Sequence, residues 1–391
     1  MRFYMKNVVR GVAITLAAIT GAKAYYEGSA YDYGYTAATN NSTIVTERRV
    51  ATVASEAQAN MVLSQISARL GSDTAAAGTS FSLLPTKGGN AGATDNRSSV
   101  WARAGIDHMN ESNITRLGGW DANLWTLAIG YDYKINDKVL LGAALTYSNL
   151  NGKTKFNNGS MRDNAYGIVP YAAFKVAPCF DVDVMVGYSR VNKKRDRGTA
   201  ATIDDQALSG VKATSSPKSD RYFAALHGNY KHHINRWNLL ARLGYLFVTD
   251  RQKSYTERNG ITNINPGGGV GNINKQDKSY LGLTNNVNRV SLRLQAGYKA
   301  SPTVEPYAFL TYALDFGATK MKFAGVANGG ADLSSGGYVD PNSRRSNNTF
   351  GGGLGLNANL GNNWGSSIEG SYLQSKKFRN IGGWLRVSKK F

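Results

Sequence analysis

The chain of 391 residues has one cysteine, Cys179, eight prolines, and only 26 acidic residues against 46 basic ones. A lone cysteine leaves no intramolecular disulfide framework to build on. Long apolar runs are missing as well. Past the first two dozen residues nothing approaches the ~20 apolar residues a transmembrane helix needs, and mean hydropathy is -0.35, which excludes a helical membrane protein. Scarce proline beside abundant glycine (44) and tyrosine (22) suits many strands with aromatic belts rather than a Val/Leu-packed soluble interior. The acidic shortfall gives a formal charge of +20, or +16 once the four basic residues among the first 24 are set aside. Such an excess fits nucleic acid, but the basic residues fall in turns, loops and one strand face rather than in a groove with stacked aromatics. No nucleic-acid partner is expected, and attraction to anionic lipopolysaccharide and phosphate is the better reading.

What is present begins with a leader. Arg2, Lys6 and Arg10 precede an apolar run from Gly11 to Ile19, and Ala22-Lys23-Ala24 ends it. Basic region, short greasy run and small-residue site in that order read residues 1–24 as an export signal. Residues 25–45 are polar and rich in tyrosine (Tyr25, Tyr26, Tyr31, Tyr33, Tyr35), too poor in aliphatics for a core, and are expected to be disordered or loosely extended. From Thr46 to Leu70 the apolar residues Val50, Val53, Ala57, Met61, Ile66 and Leu70 fall near helical spacing, Glu47 opens the run and Gly71 follows it. This predicts a helix over residues 46–71, with Thr46 to Leu70 about 37 Å long at ~1.5 Å per residue. Residues 72–97, rich in Gly, Ala, Ser and Thr, read as a linker.

The rest, residues 98–391, divides into twelve amphipathic segments separated by connectors that are alternately short and mostly long. Short ones lie at 134–137, 176–179, 233–236, 300–303 and 361–363, while those at 194–219, 252–285 and 319–346 are long. A strand pattern with no helices to cover it, greasy on one face and polar on the other, finds its apolar solvent in lipid. The fold expected is therefore all-β, a 12-stranded antiparallel transmembrane β-barrel with an N-terminal α-helix lying in its lumen. In Arg289 to Lys299 the residues Val290, Leu292, Leu294, Ala296 and Tyr298 alternate with Arg289, Ser291, Arg293, Gln295 and Lys299. A lysine or arginine facing lipid at mid-bilayer costs roughly 2 to 4 kcal/mol, so the charged face is the lumen. The same parity assigns Arg103, Asp181, Asp183, Arg242, Arg289, Arg293, Glu305 and Glu369 to the lumen lining. Aromatics such as Tyr131, Tyr133, Phe174, Tyr188, Trp237 and Trp364 fall near segment ends, as interface girdles do.

The chain closes on a strand, Asn380 to Phe391, whose terminal aromatic ends it. From Thr46 onward, the order of helix, a first strand carrying Val100-Trp101-Ala102-Arg103, twelve strands and a final Phe391 resembles the translocator domain of autotransporters, the type V secretion systems. The resemblance implies a Gram-negative outer-membrane barrel that exports or anchors an N-terminal passenger. It further implies periplasmic chaperones and the outer-membrane assembly machinery as partners, with Phe391 as part of the assembly signal. Two departures stand out: the passenger-like stretch is only Tyr25 to Val45, and Lys389 occupies an outward position of the closing strand where an apolar residue is commoner.

No catalytic, cofactor-binding or metal-binding residues are assigned. Gly353-x-Gly355-x-x-Ala358 mimics a dinucleotide loop but lies within one alternating segment, and Gly152-Lys153-Thr154 lacks the upstream glycine of a phosphate loop. The four histidines supply no Ser/His/Asp set at the loop-side rim, and the adjacent His232 and His233 are poorly spaced for a metal. The resemblance also implies that some members cut their passenger at an asparagine in the helix; here Asn60 stands between Ala59 and Met61 without an adjacent asparagine, and no efficient self-cleavage is expected. The expected function is a monomeric, non-enzymatic outer-membrane translocator that carries its short N-terminal segment at the cell surface. The alternative is a porin-like channel or a surface adhesin working through the long loops. The helix is expected to be anchored in the lumen by side-chain pairs rather than by hydrophobic burial.

Overall fold

The computed structural model describes residues 47–70, 97–112, 119–154, 159–198, 212–264, 273–280, 282–316, 326–327 and 347–391. The leader, the tyrosine-rich segment, nearly all of the linker and parts of the long loops lie outside the described residues. One helix, α1 (Glu47–Leu70), precedes the strands β1 (Ser98–Glu111), β2 (Trp120–Asn136), β3 (Val139–Thr154), β4 (Gly159–Ala177), β5 (Phe180–Gly198) and β6 (Lys212–Ser215). There follow β7 (Lys218–Ile234), β8 (Trp237–Gln252), β9 (Tyr255–Ile264), β10 (Ile273–Tyr280), β11 (Leu283–Tyr298) and β12 (Val304–Phe316). The last four are β13 (Val326–Ala327), β14 (Asn348–Gly361), β15 (Trp364–Gln374) and β16 (Phe378–Lys390).

Twelve of these close into a ring in the order β1, β2, β3, β4, β5, β7, β8, β11, β12, β14, β15, β16, every neighbour antiparallel. The closing seam runs without a break from Ser99 opposite Lys390 to Glu111 opposite Phe378, so no sheet edge is left open to lipid. The other four strands correct the reading of 194–219, 252–285 and 319–346 as loops. There β6, β9, β10 and β13 form a small antiparallel sheet that continues from β5 beyond the barrel. Tyr255, Thr256, Ile261, Thr262 and Ile264 favour strand, and a loop with strand propensity completes its backbone hydrogen bonds by pairing.

Alternation decides the two faces. Along β2 the outward Trp125, Leu127, Ile129 and Tyr131 are 56, 43, 54 and 49 % exposed, while the inward Leu124, Thr126 and Ala128 are buried. An apolar exterior of this kind, repeated around the ring, is a lipid-facing band. The tight turns at one end use residues that tolerate a left-handed backbone: Asn235 at φ 54°, and Gly361, Asn362 and Asn363 at 80°, 48° and 65°. Inside, large rings lie flat over glycines of the adjacent strand. A methyl group at Gly130 would stand 2.4 Å from Trp101, one at Gly187 2.0 Å from Phe223, and one at Gly355 2.2 Å from Tyr307. Gly353 and Gly355 thus make room for interior side chains, not for a dinucleotide.

Candidate functional site: a helix-filled lumen

The helix α1 runs the length of the lumen. Its N-terminal half lies at the mouth where the long connections emerge, with Val50, Val53 and Ala54 against Met109, Trp120, Leu124, Leu150 and Phe378. Its C-terminal half approaches the tight-turn end, with Met61, Val62, Leu63, Ile66 and Leu70 against a wall that includes Trp101, Leu140, Val169, Met185, Phe223 and Val248. These inward positions are apolar. That corrects the expectation of a lumen that anchors the helix through side-chain pairs alone: burial of each such side chain contributes about 1.5 to 3 kcal/mol, and α1 is held by packing and by polar contacts together. Apolar and polar residues are mixed around its circumference and both are buried, Val62 and Ile66 as well as Ser55, Gln58, Gln65 and Arg69.

The polar contacts work from both ends of the lumen. At the turn side Arg69 donates to Asp132 at 2.6 Å and to the carbonyl of Arg97 at 2.6 Å, and Gln65 donates to Asp132 at 2.8 Å. Midway, Gln58 donates to the hydroxyls of Thr146 and Ser189, both at 3.3 Å. At the loop side Arg289 bridges Glu56 of the helix and Asp315 of the wall, and Arg49 pairs with Asp315 at 3.8 Å. The seam strands contribute differently. Arg103 and Arg386, which face each other across β1 and β16, reach the main chain of the helix: Arg103 donates to the carbonyl of Asn60, and Arg386 to that of Ser64 at 2.6 Å. Each also reaches a helix side chain, Arg103 donating to the Ser64 hydroxyl at 3.0 Å and Arg386 to the Gln65 side-chain carbonyl at 3.2 Å, so the grip combines main-chain carbonyls with polar side chains.

All eight residues singled out by parity point inward, where, besides Arg103 at the seam and the Arg289 bridge, they form three groups. Asp181 and Asp183 are bridged by Asn229, with Lys231 on Asp181 at 2.5 Å and His227 on Asp183 at 2.8 Å. Arg242 joins this group to the helix, donating to Asn229 at 2.5 Å and to Ser67 at 2.7 Å. Arg293 pairs with Glu369 at 2.6 Å and lies 3.6 Å from the Phe309 ring centre, and Glu369 also accepts from Tyr307 and Trp384. Glu305 accepts from Asn238 at 2.8 Å. Among the described residues no serine is hydrogen-bonded to His227, and no group of three metal-ligating side chains occurs. Asp132, Gln58 and Gln65 were not foreseen, although the outward Tyr131 and Tyr133 already place Asp132 on the inner face.

One stripe of the helix is left uncovered. Glu56, Ala57, Asn60, Ser64 and Ser67, all on one side, border a cavity of about 160 Å³ between α1 and the strands from β7 round through the seam to β2. The lumen is therefore plugged with a narrow polar crevice left beside the plug. At the foot of the seam, Phe391 bonds through its amide to Ser98 at 2.9 Å with its ring 51 % exposed. Lys389, outward as the alternation requires, places its ammonium 5.2 Å from the Trp364 ring and 5.4 Å from the Phe391 ring. Those cation–π contacts, at the interface level, make a lysine tolerable there.

A family model described as the autotransporter β-domain matches residues 100–371. The chain belongs to the autotransporter β-domain family. Among solved structures, this β-domain resembles the translocator domain of autotransporter NalP from Neisseria meningitidis at 15 % identity and a TM-score of 0.58, covering 86 % of this chain and 98 % of that one. It also resembles the β-domain of the Bordetella autotransporter BrkA at 16 % identity and a TM-score of 0.51, covering 75 % and 99 %. No curated protein sequence matches it. The β-domain is accordingly a Gram-negative outer-membrane translocator barrel that exports a passenger.

Proposed function

We propose that this β-domain exports the segment preceding α1 and then retains it, with α1 left in the lumen as tether and plug. The observation that carries this reading is the polarity of the helix. Its Glu47 end lies at the mouth of the long connections and its Leu70 end at the tight turns, and both ends are pinned by buried ion pairs. A chain entering from the turn side would leave its N-terminal part on the loop side, which in this reading is the cell surface. The tight turns then face the periplasm, where the assembly machinery and chaperones meet the Phe391 strand. An open porin is disfavoured because α1 occupies the bore.

The free Cys179 sits exposed in the tight turn between β4 and β5 and reports orientation directly. In intact cells a membrane-impermeant maleimide should leave it unlabelled and react only after the outer membrane is permeabilised. A tag inserted between residues 25 and 45 should be removed by external protease. Labelling of Cys179 in intact cells, or a protected tag, would overturn the proposal.

A further inference from the structure

Outside the lumen, the flank formed by β4, β5, β7 and β8 carries a patch that translocation does not use. Near the loop-side end the tyrosine pairs Tyr147–Tyr166 and Tyr188–Tyr222 stand outward with ring centres 5.1 Å apart. The next outward row beyond Tyr188 and Tyr222 is Arg190 on β5, Asp220 on β7 and Arg251 on β8, directly opposite one another. Beyond it come Lys218, and Lys253 whose amide bonds to the Lys218 carbonyl at 2.8 Å. Further out Arg162 of β4 pairs in register with Lys194 of β5. Six cations thus share one outward face with Asp220 among them and Asp196 at its far edge, the latter accepting from Ser160 and lying 3.8 Å from Lys212. Asp220 accepts from Arg190 at 2.6 Å and lies 3.7 Å from Lys253, while the Arg251 guanidinium stands 5.8 Å from the Tyr222 ring centre.

The bare need for a hydrated rim does not explain this. On β11, β14 and β15 the outward positions at the same end are Thr284, Asn286, Asn288, Asn348 and Gln374, all uncharged. Four strands about 4.8 Å apart and two residue pairs of about 6.6 Å each give a patch of roughly 15 by 13 Å, the scale of a phosphorylated disaccharide. It begins where an aromatic belt marks the end of the hydrocarbon and the start of the headgroups. Arginine and lysine there meet lipid phosphate at the edge of a low-dielectric phase, where charge-assisted hydrogen bonds are strong.

We propose that Arg162, Arg190, Lys194, Lys218, Arg251 and Lys253 form a binding site for the phosphorylated glycolipid headgroup of the outer leaflet, a lipid of the lipid A class. The proposal rests on the loop-side end facing outward, which the Cys179 labelling tests separately. Its own test uses the full chain refolded in detergent, with lipid binding followed by native mass spectrometry. Bis-phosphorylated lipid A should bind at least tenfold more tightly to the native protein than to R190Q/K218Q/R251Q/K253Q. Phosphate-free lipid A should bind both proteins equally weakly, and millimolar inorganic phosphate should not displace the lipid. R379Q, on the other side of the barrel, should bind as the native protein does. Heat-modifiable migration checks folding, and K218Q/K253Q serves if the fourfold variant does not assemble. Equal lipid A binding by native and variant barrels, or equal binding of phosphorylated and phosphate-free lipid, would overturn the proposal. A barrel that exports its N-terminal segment yet fails this binding test loses only the lipid site. One that binds lipid A but exports nothing loses only the export reading.

Discussion

Removing residues 25–70 should open the barrel. Twelve strands about 4.8 Å apart and tilted by about 40° make a ring of roughly 75 Å circumference and 24 Å backbone diameter. Side chains stand about 5 Å off each wall, half the ~10 Å spacing of packed sheets, which leaves a bore of roughly 14 Å. Its cross-section is of order 150 Å². With α1 in place the bore is filled by the helix, and what remains is a cavity of about 160 Å³ beside residues 53–68, a small part of the open lumen. Single-channel conductance in planar bilayers should rise at least fivefold on deletion, a lower bound that allows the exposed apolar wall around Val169, Phe223 and Val248 to close in partly. R103A/R386A should give an intermediate, flickering conductance, because it frees the helix main chain while the packing of Leu63 and Ile66 persists. Equal conductance with and without residues 25–70 would refute a helix seated in the lumen.

D132A should loosen the turn-side end of the helix, since the buried Arg69 loses its carboxylate partner, and stranding a buried charge costs about 3 to 5 kcal/mol; hydrogen exchange in the last two turns of α1 should accelerate while the barrel stays protected. G187V places a side chain where Phe223 already stands, and the yield of heat-modifiable barrel should fall several-fold, against a native-like yield if the ring swings aside freely. F391S should lower outer-membrane levels more than it lowers conductance per assembled barrel, because the residue closes the foot of the seam and touches nothing in the lumen; normal surface levels would count against an assembly role. K389A should be close to neutral, as cation–π contacts at an exposed interface contribute only about 0.5 to 1 kcal/mol, measured by urea unfolding in detergent.

Period-two alternation with charges on one face was enough, from the sequence alone, to determine the twelve strands, their parity and the closed ring. Lipid cannot satisfy a backbone edge or an arginine, so the pattern admits few other solutions. The helix was legible too, from its spacing and the Gly71 that follows it. What alternation cannot give is the neighbour on the inside. That Trp101, Val169 and Phe223 pack the helix rather than the opposite wall follows from how twelve strands curve around a bore one helix wide. Likewise Asp315 serves both Arg289 and Arg49, and Asn229 bridges two aspartates, only because distant strands converge there. The long segments at 194–219 and 252–285 show the limit from the other direction: loop-like in composition, they become strands because β5 extends past the membrane and offers an edge. The basic rows above Tyr188 and Tyr222 are scattered in sequence between residues 162 and 253, and only the register of four neighbouring strands gathers them into one surface.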